Sequence, residues 1–253
     1  MFQSNTCPSA DTPTKASEEP AKIELTANAN MNAPNLIILG PQGSGKTTQA
    51  ELLAKKFGFA LFGAGDVLRE IAQQDSELGR TVHQTVNVEG RLVPPELISE
   101  VIKEKVATVP NDRGVILDGY PRNLRQYELF KNFWRETGRG DHRVVFIELP
   151  DEEAVERLTR RVTCENCDAV YIEGTMEKCE KCGGRLVRRP DDTPEAIQTR
   201  LKSFYSETMP MIQAMEADGK IVHIDGAPPI DEVHQKIVRR LQPRIFSSLG
   251  SGS

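Results

Sequence analysis

The chain of 253 residues is 38% hydrophobic and 27% charged, which allows one substantial core with small insertions. It has no apolar run of about 18 residues, and this excludes a membrane-spanning helix. Thirty-two basic against 37 acidic side chains leave a net charge of -5, which disfavours a general nucleic-acid binder. The N-terminus lacks the basic and apolar regions of a secretory signal and no arginine precedes Arg69, so the expectation is a cytoplasmic enzyme or binding protein.

Residues 1–33 are rich in Ala, Ser, Thr, Asn, Pro and Glu. Such a segment cannot bury enough surface to offset its ordering entropy, so a disordered tail is expected, with Met31 near its end as an alternative start. NLIIL at 35–39 is the first predicted strand, followed by a Gly-rich loop and a helix over 47–57. A weaker strand, ALFG, covers 60–63. Helical periodicity marks 95–106, GVILD a strand at 114–118, and 125–136 the next helix. RVVFIEL (143–149) and KIVHID (220–225) are further β-branched runs, with helices over 151–161, 194–217 and 230–241. Near-continuous apolar strands separated by helices imply a parallel sheet covered on both faces, hence a doubly wound α/β fold of five strands. Residues 247–253 form a Ser/Gly tail that is expected to be loose.

Gly40 to Thr47, GPQGSGKT, fits G-x-x-x-x-G-K-[ST] between a predicted strand and a predicted helix. Glycines let consecutive N–H groups point inward around a polyphosphate, and the helix N-terminus adds partial positive charge. Lys46 can reach the β- and γ-phosphates, and Thr47 offers a hydroxyl to Mg²⁺. A nucleoside triphosphate site follows.

Four of the five cysteines are Cys164, Cys167, Cys179 and Cys182, two CxxC knuckles separated by eleven residues. Two knuckles complete a tetrahedral site for Zn²⁺; iron, or two redox disulfides, are the alternatives. The connecting DAVYIEGTMEK reads as a small β-hairpin, and Gly183-Gly184 as a tight turn. A closed four-thiolate shell leaves no open position for catalysis, so the metal is structural.

Arg157 and Arg161 lie four apart on a predicted helix, hence on one face. Arg69, Arg122, Arg189 and Arg200 fall near strand ends or beside the cysteine segment, with Asp191 and Asp192 between the last two. In open α/β sheets that edge binds ligands, and arginine forks neutralise phosphate oxygens bidentately. Asp118 ends a strand and can hold Mg²⁺ or its waters. The four histidines receive no role, and Trp134 reads as packing.

The segments GPQGSGKTTQA, GAGDVLRE, EGRLVPPELI, ILDGYPRNLRQ, RLTRRVTCENC and RRPDDTPEAIQTRL occur in the order seen in adenylate kinases, and the chain resembles the long form with a zinc-bearing lid from about Asn35 to Leu241. The resemblance implies a nucleoside monophosphate kinase core over 34–246. That core would carry a small helical monophosphate-binding flap near 63–93 and a four-cysteine metal-ribbon lid near 160–192. By position, Gly43, Ser44, Gly45, Lys46, Thr47 and Thr48 would cradle the ATP phosphates. Arg157 and Arg161 would clamp them, and Val170, Tyr171 and Pro228 would touch ATP. On the AMP side it implies Ala64, Arg69, Arg91, Leu92, Val93, Gly119, Tyr120, Pro121, Arg122, Gln126, Arg189 and Arg200. Asp118, Asp191 and Asp192 match carboxylates that order Mg²⁺ and the hinge. The implied reaction is Mg·ATP plus AMP giving two ADP, in a monomer, with no nucleic-acid or membrane partner.

This sequence departs from the family at several points. Thr47 stands where glycine is usual, Arg160 likewise, and the knuckles are closer together. Ala64 and Asn123 look more like UMP/CMP kinases, whereas Gln126 and the long lid do not. A UMP/CMP kinase, or a non-catalytic P-loop protein that binds through its cysteine ribbon, are the alternative readings.

Overall fold

The computed structural model describes residues 34–88, 92–189 and 192–245. The expected tails at 1–33 and 247–253, with Met31, lie outside the described residues, as do Arg91 and Asp191. In chain order the elements run β1 (Asn35–Leu39), α1 (Lys46–Phe57), β2 (Ala60–Gly63), α2 (Ala64–Ala72), α3 (Glu77–His83), α4 (Pro95–Ala107), β3 (Val115–Asp118), α5 (Leu124–Glu136) and β4 (His142–Glu148). There follow α6 (Asp151–Thr159), β5 (Arg161–Cys164), β6 (Val170–Ile172), β7 (Leu186–Val187), α7 (Pro194–Ser203), α8 (Met209–Ala217), β8 (Ile221–Asp225) and α9 (Ile230–Ile245).

The main sheet has the order β2-β3-β1-β4-β8, and every pairing is parallel. Because side chains alternate along a strand, Leu36 and Ile38 of β1 face one way and Ile37 and Leu39 the other. Leu36 and Ile38 join Ile116, Val145 and Ile147 beneath Leu53 of α1 and Val233 and Ile237 of α9. Ile37 and Leu39 join Leu117 and Val144 beneath Ile102 of α4, Phe130 of α5 and Met211 of α8. Both faces are therefore dry, which is why the strands read as continuous apolar runs. Trp134 packs in this second layer against Phe130 and His142, and its Nε1–H donates to the carbonyl of Gly140.

The chain leaves β1 toward β2 and β3 and returns to β4 on the other side. A crevice opens at such a reversal, outside the carboxyl ends of the strands. A separate antiparallel sheet, β6-β5-β7, is inserted between α6 and α7.

Three sequence expectations need correction. The helix expected over 151–161 ends at Thr159, and Arg161 opens β5, paired with Ile172. Val162 and Thr163 are β-branched and favour the strand, so Arg157 and Arg161 do not share a helical face. The segment between the knuckles is not a self-contained hairpin: its one strand, β6, pairs back to β5. The helix expected over 194–217 widens into a π-helical turn at Phe204–Thr208, where the N–H of Met209 donates to the carbonyl of Phe204. The next residue, Pro210, has no N–H and would crowd a tighter turn. The flap expected to be helical contains α2 and α3, and Val67, Leu68 and Ile71 of α2 form a short buried stripe.

Candidate active site

Residues 40–45 turn sharply from β1 into α1. Gly43 has φ +85, and a Cβ there would sit 3.0 Å from the carbonyl oxygen of Ala154, so only glycine lets α6 pack this close. Gly45, at φ +83, is the N-cap of α1 and offers no capping side chain. The first amides of the helix are thus left for an anion in the loop. The buried Oγ of Ser44 has no partner among the described residues.

This loop forms the floor of a cavity of about 1590 Å³. Lys46, Thr47 and Thr48 line it from α1, and Asp118 and Gly119 from the end of β3. Arg69, Arg122, Arg157, Arg161, Arg189 and Arg200 all reach it, as do Leu92, Val170, Tyr171 and Pro228. A smaller pocket beside it is lined by Ala64, Leu92, Val93, Gly119, Arg122 and Gln126, among others. Tyr120 is fully buried, its hydroxyl 2.8 Å from that of Ser99. Pro121 is also buried and lines neither space.

The cations are held in place by specific acceptors. Lys46 Nζ donates to the carbonyl of Pro41 at 3.3 Å. Burial pushes its ammonium down to about 8; Asp118 opposes the shift, while Arg122, Arg161 and Arg200 add to it. Burial likewise pulls Arg122 below its ordinary range, and its Nε donates to the carbonyl of Gly119 at 2.7 Å. Arg161 makes a two-pronged contact with Asp192, at 2.7 and 2.6 Å, and Arg200 binds the same carboxylate at 2.8 Å. Burial alone would raise the Asp192 carboxyl, but the two guanidinium partners outweigh it and hold it low. Arg157 reaches the carbonyls of Gly43 at 3.5 Å and Ala227 at 2.9 Å. Asp118 accepts from the Thr47 hydroxyl through Oδ2, while its Oδ1 is buried with no partner among the described residues. An acceptor-only oxygen beside a threonine hydroxyl fits a Mg²⁺ ion or its waters.

Two acidic residues in the cleft were not singled out from sequence. Asp66 pairs with Arg69 one helical turn away, and Asp168 of the cysteine segment comes within 3.5 Å of Arg69 Nε. The first was legible as an i, i+3 pair within GAGDVLRE. The second joins residues a hundred positions apart, and no local signal marks it.

The four predicted cysteines converge. Cys164 and Cys182 Sγ are 3.4 Å apart, Cys167 and Cys182 3.4 Å, and Cys167 and Cys179 3.5 Å. A disulfide requires about 2.05 Å, so none is formed. A tetrahedron of about 2.3 Å Zn–S bonds has edges of about 3.8 Å, close to this spacing. The Asn166 amide points to Cys164 Sγ at 3.4 Å, and the Tyr171 hydroxyl lies 3.4 Å from Cys179 Sγ. Polar hydrogens directed at sulfur suit thiolate ligands.

Fold and cleft together define a P-loop phosphotransferase: a triphosphate loop at the end of a parallel sheet, ringed by arginines. A family model described as adenylate kinase matches residues 38–220. An adenylate kinase of Dehalococcoides mccartyi is 40% identical over 82% of this chain and 98% of its own. One of Archaeoglobus fulgidus is 36% identical over 80% and 95%, and one of Syntrophomonas wolfei 34% over 82% and 99%. The chain belongs to the adenylate kinase family. No helix among the described residues is long and apolar enough to cross a membrane.

Proposed function

We propose that the cleft transfers a phosphoryl group reversibly from Mg·ATP to AMP, giving two ADP. The observation that carries this reading is the convergence of Lys46 and eight arginines, the six already named with Arg160 and Arg188, on one cavity whose floor is the phosphate loop. Two nucleotides laid phosphate to phosphate bring that much negative charge, and one nucleotide alone does not require it. The acceptor phosphate oxygen is already an anion near pH 7, so the protein needs no strong base. Its work is in-line positioning and charge neutralisation.

In this reading the amides of 43–48 and Lys46 hold the donor phosphates, with Arg157 and Arg161 closing from the side. Arg69, Arg122, Arg189 and Arg200 hold the acceptor phosphate and the group in flight. Asp118 and Thr47 hold Mg²⁺, which supplies charge neutralisation when bound. Segments 63–93 and 160–192 act as flaps over the two nucleotides. Their approach excludes water, which would otherwise compete as acceptor. The four cysteines hold Zn²⁺, which keeps the second flap folded. One chain lines the whole cavity, so a monomer suffices, and a cytoplasmic location suits these substrates.

The amide of Gln126 favours AMP over UMP as acceptor. Its Oε1 accepts from the Arg122 N–H at 2.8 Å, so Nε2 is the end left to donate in a residue that lines the small pocket. Adenine offers an acceptor, N1, beside a donor, N6, and matches this amide. Cytosine offers the same pair through N3 and N4, whereas uracil presents a donor at the corresponding place. The amide therefore argues against UMP, and the size of the base must separate AMP from CMP. Asn123 does not line the pocket. Its Oδ1 accepts from the Gln126 N–H at 2.9 Å and caps α5, which gives it a structural duty. Steady-state assays with AMP, UMP and CMP side by side test the assignment. AMP should give the highest kcat/KM, and faster turnover of UMP or CMP would overturn it.

A further inference from the structure

Gln49 sits on α1 three residues beyond Lys46, is 2% exposed, and lines neither cavity. Its Nε2 donates to the carbonyl of Ile230 at 2.8 Å, and its Oε1 lies 3.2 Å from Nδ1 of His234. A carbonyl can only accept, so the amide cannot be turned over, and the imidazole must carry its proton on Nδ1. Both partners belong to α9, more than 180 positions along the chain.

Ala227, Pro228, Pro229 and Ile230 form one wall of the large cavity. Three further backbone groups of that wall are also committed. The Ala227 N–H donates to Asp225, its carbonyl accepts from Arg157, and the Pro229 carbonyl accepts from the amides of Glu232 and Val233. Neither proline has an N–H. The wall is therefore set by a few hydrogen bonds, of which, among the described residues, Gln49 makes the one that runs directly to the helix bearing Lys46.

We propose that Gln49, oriented by His234, is a positioning residue that fixes the 227–230 wall relative to the phosphate loop. The base and the polyphosphate of the donor nucleotide then meet one rigid unit. This rests on the reading of that wall as the place where the ATP base lies. The brace contributes to affinity for a ligand that touches both ends, and nothing to a ligand that touches the phosphate loop alone.

Calorimetric titration of the full chain with ATP and, separately, with inorganic tripolyphosphate distinguishes these. Gln49→Leu should weaken ATP about tenfold, the effect of one or two lost hydrogen bonds, and leave tripolyphosphate within about twofold. His234→Leu should weaken ATP about threefold, and His234→Gln, whose amide can still donate to Oε1, should restore it. Equal loss of both ligands in Gln49→Leu would mean general damage to the phosphate loop and would overturn the assignment, as would unchanged ATP affinity. Should Gln49→Leu fail to fold, the half-buried His234 variants decide alone, and wild-type ATP affinity in His234→Leu would overturn it. Wild-type protein that binds tripolyphosphate as tightly as ATP would instead contradict the reading of the wall itself.

Discussion

The hydroxyl of Thr47 donates a 2.6 Å hydrogen bond to Oδ2 of Asp118, joining the first turn of α1 to the end of β3. Thr47 follows the phosphate-loop lysine directly, at a position where a glycine would leave this carboxylate unheld. The bond turns Asp118 so that Oδ1 is the oxygen left without a partner among the described residues. Thr47→Val should lower kcat about 10- to 100-fold, the range for losing a hydrogen bond to a charged group. It should also raise the Mg²⁺ concentration needed for half-maximal turnover. Thr47→Ser should stay near wild type. Unchanged Mg²⁺ dependence in the valine variant would remove Thr47 from the site.

Lys46 predicts a pH dependence of binding. Burial brings its ammonium down to about 8 from the ordinary 10.5, so above about 8 the free protein presents a neutral amine to the phosphates. ATP affinity should fall with rising pH beyond that point, towards tenfold per pH unit, and Lys46→Arg should flatten the dependence. Stability runs the opposite way. Between about 8 and 10.5 the unfolded chain holds a proton that the folded protein has released, so the ligand-free protein gains stability as pH rises through that window. ATP affinity that stays level from pH 7 to 9.5 would show that Lys46 does not hold the phosphates.

Tyr171 belongs both to the cavity wall and to the cysteine cluster, since its hydroxyl lies 3.4 Å from Cys179 Sγ and accepts from the Glu180 amide at 3.0 Å. Removing that hydroxyl leaves the Cys179 sulfur less well held. Tyr171→Phe should speed transfer of zinc to a chromogenic chelator about tenfold, the lower end for loss of an outer-sphere partner. An unchanged transfer rate would mean that the contact does not support the metal.

His142 gives a stability signature far from the cleft. It is 6% exposed, packed edge-on against Phe130 and Trp134, and burial pushes its imidazole down to about 4. Below its ordinary 6.5 the unfolded chain takes up a proton that the folded ring refuses, so stability is lost as pH falls from 6.5 towards 4. Urea titrations at pH 7 and 4.5 should show wild type losing about 2 kcal/mol more than His142→Phe. Equal losses would place the acid sensitivity elsewhere.

Much of this was legible in the sequence because the signals are local. Gly43 and Gly45 sit in a loop, and Lys46 in the first turn of α1, at a spacing set by the backbone alone, and the four cysteines need only two short turns to converge. The strands were legible because both sheet faces are buried, which leaves no polar alternation to confuse them. What local pattern missed depends on distant partners. Arg161 looked helical from its spacing to Arg157, but pairing with Ile172 draws it into a strand. Asp168 meets Arg69, and Gln49 meets Ile230 and His234, only after the sheet has brought separate segments together. Asn123, which resembles the UMP/CMP kinases at its position, also caps α5 through the Gln126 N–H, a contact that its place just before the helix makes legible.

The most direct test is the affinity of a bisubstrate mimic, two adenosines joined through five phosphates, measured by calorimetry on the full chain. An array of cations built for two nucleotides end to end should bind one mimic per chain at least about a hundredfold more tightly than ATP, since a joined ligand engages both halves at once. A mimic that binds no more tightly than ATP, or that binds two chains, would contradict the account.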